Sequence, residues 1–274
     1  MKCLTEDQLK TYERDGYIVL NLLTENEADE LSKEYDAIFA RYNKDDMEAT
    51  WSGDWNKQRE KTEVYSIHAL QLYSAVFTRL LLHEKILDAC EDIIGTSNIV
   101  LHHTKAHKKP PGTGSPFPMH QDYHYFPHKK DSMVAVFVSL DDAGPENGGL
   151  CVYPGSHKLG PQKDCSDNPM THYVDQSRFS LENATPLTLD KGQVLIFSYL
   201  LVHGSYNNTS RHDRRMYLMQ MYAGDDAPLG NEEIRPCQTM VLRGERMVSN
   251  ASVWKPSILQ DKINKKKKEV GASM

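Results

Sequence analysis

At Gly95 the texture of the chain changes, and that change limits the folds open to it. From there on, short apolar or alternating segments recur at about 98–108, 119–126, 132–140, 149–153, 186–189, 193–198, 202–206 and 214–223. Gly, Pro and Asn separate them, with turn clusters at Asp141–Gly149 and Pro154-Gly155-Ser156. Short strands in such a series bury their apolar faces by packing as an antiparallel sandwich or by closing into a barrel. Upstream the pattern is helical. Thr5…Gln8 and Thr24…Glu27 have the spacing of capping boxes. The first opens a short helix to Arg14. The second opens one to about Tyr42, with Leu31, Tyr35, Ile38 and Phe39 on one face. Tyr17–Leu20 reads as a short strand between them. Residues 43–62 read as a polar loop carrying Trp51 and Trp55, and a third helical region runs from His68 to Ile94 with a break near His83. Neither a repeat nor a linker interrupts the chain. The expectation is a single domain over 1–274: a mainly helical support layer (1–95), a β core (96–225) and a C-terminal extension (226–274).

A formal net charge of −6 argues against a nucleic-acid-binding protein. The run Lys265–Lys268 reads as a solvated tail. No apolar stretch is long enough for a membrane span, and the opening MKCLTEDQLK lacks the apolar core of a signal peptide. Five cysteines without a CxxC pair suggest reduced thiols. The cytoplasm is therefore the expected compartment. The peroxisome is the alternative, although the terminal Ala-Ser-Met only distantly resembles a Ser-Lys-Leu address.

The segment "MHQDYHYF" (119–126) bears the chemistry. On a strand, His120 and Asp122 point to one face. A third ligand would complete the two-His, one-carboxylate set that holds non-haem iron on one face of an octahedron. His203 is the best candidate, because it follows the apolar run 194–202, where an unpartnered imidazole is costly. His102 and His103 are adjacent and should point to opposite faces of a strand. His124 shares the face of His120 but would lie roughly 13 Å along it. His68, His83 and His212 sit in helical or turn contexts. After a turn-rich stretch, a hairpin returning beside the His203 strand would carry Arg214 or Arg215 back toward the metal. There a guanidinium could grip the far carboxylate of 2-oxoglutarate.

Taken together, "HQDYHYFP" (120–127), "ENGGLCVYPGSHKLG" (146–160) and "HGSYNNTSRHDRR" (203–215) resemble the phytanoyl-CoA hydroxylase family of Fe(II)/2-oxoglutarate-dependent dioxygenases, as does "HHTKAHKKPPGTGSPFP" (102–118). The resemblance reaches from the Gly16–Leu20 strand to about residue 222. It implies a mainly β double-stranded β-helix (a jelly-roll, cupin-like fold) with outer helices, and iron held by His120, Asp122 and His203. It also selects Arg214, eleven residues after the distal His, and assigns Ser205 as a helper for oxoglutarate. Lys105 falls where the family often has a residue near that cosubstrate. Phe137 departs from the Trp of the phytanoyl enzyme.

The implied activity is hydroxylation of an unactivated C–H bond, consuming oxygen and 2-oxoglutarate, with ascorbate as the expected reductant. The substrate is expected to be a small or medium organic molecule. Strand alternation puts His103, Lys105, His107 and Lys109 on one face, which favours an anionic one: a carboxylate, a phosphonate or an acyl-CoA. Two rivals are a non-catalytic binding module of the same fold, against which the retained ligands, Arg and Ser weigh, and a halogenase, against which Asp122 argues. A zinc hydrolase would use three protein ligands but has no need of the Arg and Ser.

Overall fold

The computed structural model describes residues 1–42, 48–112, 114–167, 171–230 and 237–248, except 51–63. Trp51, Trp55, the Lys265–Lys268 run and the terminal Ala-Ser-Met lie outside them. Both capping boxes are present. Thr5 starts α1 (Glu6–Asp15) and Thr24 starts α2 (Glu25–Phe39), each hydroxyl accepting from the backbone N–H three residues on. Gly16 closes α1 with φ of 82°, and a Cβ there would lie 2.3 Å from His157 Nδ1, so only glycine fits. β1 (Tyr17–Leu20) follows α1. After α2 come two strands that the sequence did not suggest, β2 (Glu48–Thr50) and β3 (Val64–His68). The helical region then starts only with a 3₁₀ turn at Leu70–Leu72, and it divides into α3 (Ala75–Leu81) and α4 (Glu84–Ile94) with the break at the expected place.

The β region holds β4 (Ile99–Lys109), β5 (Phe117–His120), β6 (Val134–Ser139), β7 (Leu150–Val152), β8 (Thr185–Pro186), β9 (Val194–Ser198), β10 (His203–Ser205) and β11 (Arg214–Ala223). One further unexpected strand, β12 (Val241–Arg243), pairs with β4. The major sheet runs β1-β9-β6-β11-β4-β3-β2, and the minor sheet β5-β10-β7-β8, all antiparallel. The two face each other as the expected jelly roll.

Alternation assigns the rows. Tyr217, Met219, Val136 and Ile196 point outward and pack with Leu31, Tyr35, Phe77 and Ile86 of the helices. Met216, Leu218, Phe137 and Leu195 point inward toward the minor sheet. One step of β4 breaks the alternation. Gln220 pairs with His103 and Met221 with Leu101, so His102 is an extra residue, a β-bulge. Its ring consequently lies on the same side as that of His103, with Nδ1 atoms 2.7 Å apart, and both rings touch Phe126. The expectation that these neighbours face opposite ways fails because the bulge re-aims one of them.

Phe77 couples helices to sheet: it is fully buried and its ring lies 4.8 Å from that of Tyr217. Phe77→Ala should therefore cost about 3–5 kcal/mol of folding stability. Urea denaturation should show a lowered midpoint; an unchanged midpoint would mean that the helical layer is not anchored there.

Candidate metal centre

His120 and His203 are register partners on β5 and β10, and their ring centroids lie 4.2 Å apart. In each, Nδ1 sits against the carbonyl two residues back, Pro118 at 2.8 Å and Leu201 at 2.9 Å. A carbonyl only accepts, so Nδ1 carries the proton and Nε2 is left with its lone pair free for a metal. Burial lowers both imidazoles far below their ordinary range, His120 to about 3 and His203 to about 4. Both are therefore neutral, as ligands must be.

Asp122 meets them from an unexpected backbone. The strand expected over 119–126 ends at His120, and Asp122–Tyr125 forms a 3₁₀ turn. The carboxylate nonetheless returns to the histidines: Oδ1 is 3.7 Å from Nε2 of each. The three ligand atoms all lie within 4.8 Å of one another, and among the described residues no other cluster of this kind occurs. The same turn carries His124 away, so that its ring lies 5.9 Å from that of His172 rather than further along the metal strand. Gln121, buried between the two ligands, faces elsewhere; its amide bonds Leu200 and Gly160 carbonyls and the Gln162 N–H, tying two loops to the metal segment.

Gln220 had no signal in the sequence, and Lys109 only its place on the face of β4 shared with Lys105. Gln220 of β11 donates from Nε2 to Asp122 Oδ2 at 2.6 Å, which leaves Oδ1 turned toward the histidines. Burial raises the Asp122 pKa, while His120 and the Gln220 bond act to lower it. Lys109, only 1% exposed, donates to Ser205 Oγ at 2.6 Å and to the Tyr206 carbonyl at 2.7 Å.

The ligand atoms open on a cavity of about 290 Å³ between the sheets. Lys105, His68, His103 and His107 line it from β3 and β4, Phe137 and Leu218 from the centre of the major sheet, and Arg214 also borders it. Arg214 does not arrive by a hairpin beside the His203 strand. It is on β11, which pairs with β4 and β6, and so it enters from the opposite sheet. It is 3% exposed and bonds the Gly148 carbonyl, while its Nε has no partner. Burial lowers it to about 10. Gly148 has φ of 85°, and a Cβ there would come within 2.8 Å of Lys109 Cδ, so the turn must be glycine to lie against both cations. Arg215, on the other side of the strand, is held by Asp141 and Asp36.

Two histidines and a carboxylate that converge between the sheets of a jelly roll define a class of fold and site whose N/N/O donor set could hold one metal ion. The chain belongs, within that class, to the phytanoyl-CoA dioxygenase (PhyH) family, whose model matches residues 12–216. It is 32% identical over 165 residues to a probable alpha-ketoglutarate-dependent hypophosphite dioxygenase of Stutzerimonas stutzeri, covering 58% of this chain and 57% of that one. It is 31% identical over 229 residues to the peroxisomal phytanoyl-CoA dioxygenase of Bos taurus, covering 77% and 66%. The chain thus spans less than two thirds of either relative. Among solved structures, the epimerase SnoN in complex with Fe³⁺, alpha ketoglutarate and nogalamycin RO superposes with a TM-score of 0.70 at 20% identity, covering 87% of this chain and 98% of that one, a likeness of fold. No helix among the described residues is long and apolar enough to cross a membrane.

If Gln220 fixes the Asp122 carboxylate, Gln220→Leu should weaken divalent-metal binding by roughly 10–100-fold while the fold is kept. Isothermal titration with Mn(II) or Co(II) reads this directly. Affinity equal to that of the unaltered protein would show that the bond does not set the ligand.

Proposed function

We propose that the protein is an Fe(II)- and 2-oxoglutarate-dependent dioxygenase that hydroxylates an unactivated C–H bond of a small or medium-sized anionic substrate, an acid, a phosphonate or an acyl-CoA. The observation that carries this reading is the pairing, in one cavity, of a neutral-imidazole and carboxylate ligand set with a buried guanidinium. The donor set suits iron, and Arg214, with Nε unsatisfied, suits the far carboxylate of a dicarboxylic cosubstrate. When bound, iron would supply the redox chemistry: oxygen and oxoglutarate give succinate and carbon dioxide, with one oxygen atom entering succinate and the other the substrate as a hydroxyl.

The chain's own residues do the rest. His120, Asp122 and His203 would occupy three metal positions and leave the others to ligands. Arg214 and Ser205 would fix the cosubstrate's distal end. Phe117, Phe137 and Leu218 give the cavity apolar walls that exclude water. Lys105, projecting from β4 into the same cavity, would receive the substrate's anionic group. Retention of both the ligand set and the buried guanidinium disfavours a binding module that has lost catalysis.

Turnover, followed as succinate release over a panel of organic acids, should need Fe(II) and a reductant such as ascorbate. Zinc-loaded, iron-free protein should be inactive; turnover in that form would refute the reading. Arg214→Ala should raise the oxoglutarate requirement more than tenfold, since an unpaired buried carboxylate costs about 2–5 kcal/mol. Arg215→Ala, which removes only ion pairs on the outer side, should do much less; the reverse order would mean that the wrong arginine is assigned. Once a substrate is found, Lys105→Ala should raise its KM and leave that of an uncharged analogue alone. Kinetics unchanged by the substitution would remove the case for an anionic substrate.

A further inference from the structure

Lys109 and Arg214 are register partners on β4 and β11, and partners across an antiparallel pair project to the same face. Two basic side chains are thus buried side by side, and burial together with the facing Arg214 pushes the Lys109 ammonium well below its ordinary range. Among the described residues no carboxylate pairs with either: Lys109 has Ser205 Oγ and the Tyr206 carbonyl, and Arg214 has the Gly148 carbonyl. Like charges directly opposite one another destabilise a sheet, more so out of water, so the two groups are charged together where an anion compensates them.

The hydrogen-bond directions say how Lys109 takes part. An ammonium only donates, so Ser205 Oγ must accept from it; Oγ also receives the Phe117 N–H at 3.4 Å. With its lone pairs engaged, the hydroxyl has its own proton left to give, and no acceptor for it is found among the described residues. Ser205 is two residues after His203 on β10, which is in register with β7 although its pairing with β5 shifts between the two, so both side chains take the same face of the strand. The cavity lining includes Arg214 and Gly204, next to Ser205, but neither Ser205 nor Lys109. The Lys109 Nζ lies 5.0 Å from the centre of the Phe117 ring, behind the cavity wall.

We propose that Lys109 is a positioning residue for the cosubstrate's distal carboxylate. Its ammonium turns the Ser205 hydroxyl into an obligate donor toward that carboxylate and adds a second buried positive charge behind Arg214. Lys109 thereby contributes to the choice of a dicarboxylic 2-oxo acid over a monocarboxylic one. This rests on the oxoglutarate reading above.

The test compares two ligands that differ only at the distal end, 2-oxoglutarate and 2-oxopentanoate, by anaerobic titration calorimetry on the Fe(II)-loaded protein. Lys109→Met should weaken 2-oxoglutarate by about tenfold or more and leave 2-oxopentanoate within about threefold, since only the former presents a charge to the missing cation. Ser205→Ala should show the same selective loss, and the double variant should lose less than the two single losses combined, because one acts through the other. Lys109→Gln keeps a donor to Ser205 but no charge; it should fall between, and it serves if the Met variant does not fold. Unchanged discrimination in the Lys109 variants, or equal weakening of both ligands, overturns the proposal. Arg214→Ala is the control for the underlying reading: if it leaves 2-oxoglutarate binding intact, the oxoglutarate site is wrong; if it weakens binding while the Lys109 variants do not, only the role of Lys109 is wrong.

Discussion

The central strands of the major sheet are covered by helices on one side and by the minor sheet on the other, and the polar site depends on that double burial. The helix-facing row, with Val136, Ile196, Tyr217 and Met219, packs against α2, α3 and α4 and supplies apolar burial. The inward row can then carry groups that are costly to desolvate, His103, Lys105, Lys109, Arg214 and Gln220, because the other row holds the strands in place. Stability and chemistry are divided between two faces of the same strands. Phe137 shows the division within one residue pair: it lines the cavity, while its neighbour Val136 sits among the helices.

The most legible part of the site was that carried by short-range spacing and by resemblance. His120 and Asp122 are two residues apart and His203 ends an apolar run, and the structure brings all three together. The route differs from strand alternation, because a 3₁₀ turn rather than a continuing strand returns the carboxylate. The residues that hold the ligands were hidden. Gln220 lies in "MYLMQMYA", where a lone Gln among apolar residues reads as a variation in a buried strand. Its partner is 98 residues away. Strand alternation puts Lys109 on the correct face, but alternation alone does not tell a buried lysine from one at a solvated edge. Only the pairing of β4 with β11 and the closeness of β10 show that it is buried. The bulge at His102 was likewise invisible, since register is a property of two strands and a sequence shows one.

Arg214 and Arg215 make the same point about sidedness. One step along β11 separates a guanidinium buried in the cavity from one clasped by Asp141 and Asp36. Burial lowers the first, and the hydrogen bonds of Asp141, against a smaller effect of burial, raise the second. Composition cannot separate them, and a hairpin beside the His203 strand would put them in the minor sheet, whereas β11 brings one of them to the cavity from the major sheet. Arg215 has a structural task of its own: through Asp36 it joins α2 to β11, and through Asp141 it secures the chain leaving β6. Both arginines are thus accounted for by position alone.

Formal charge in the cavity gives a last constraint on what can fill it. Of the described side chains that line it, Asp122 is the one carboxylate, His120 and His203 are held neutral, and Lys105 and Arg214 are basic. A divalent ion held there would add to an excess that is already positive. A dianionic 2-oxo acid cancels only part of that excess. An enclosed space balances its charge by taking up ions of the missing sign. On the reading proposed above, the cosubstrate's two carboxylates are the anions that meet this lining, one at the ligand set and one at Arg214.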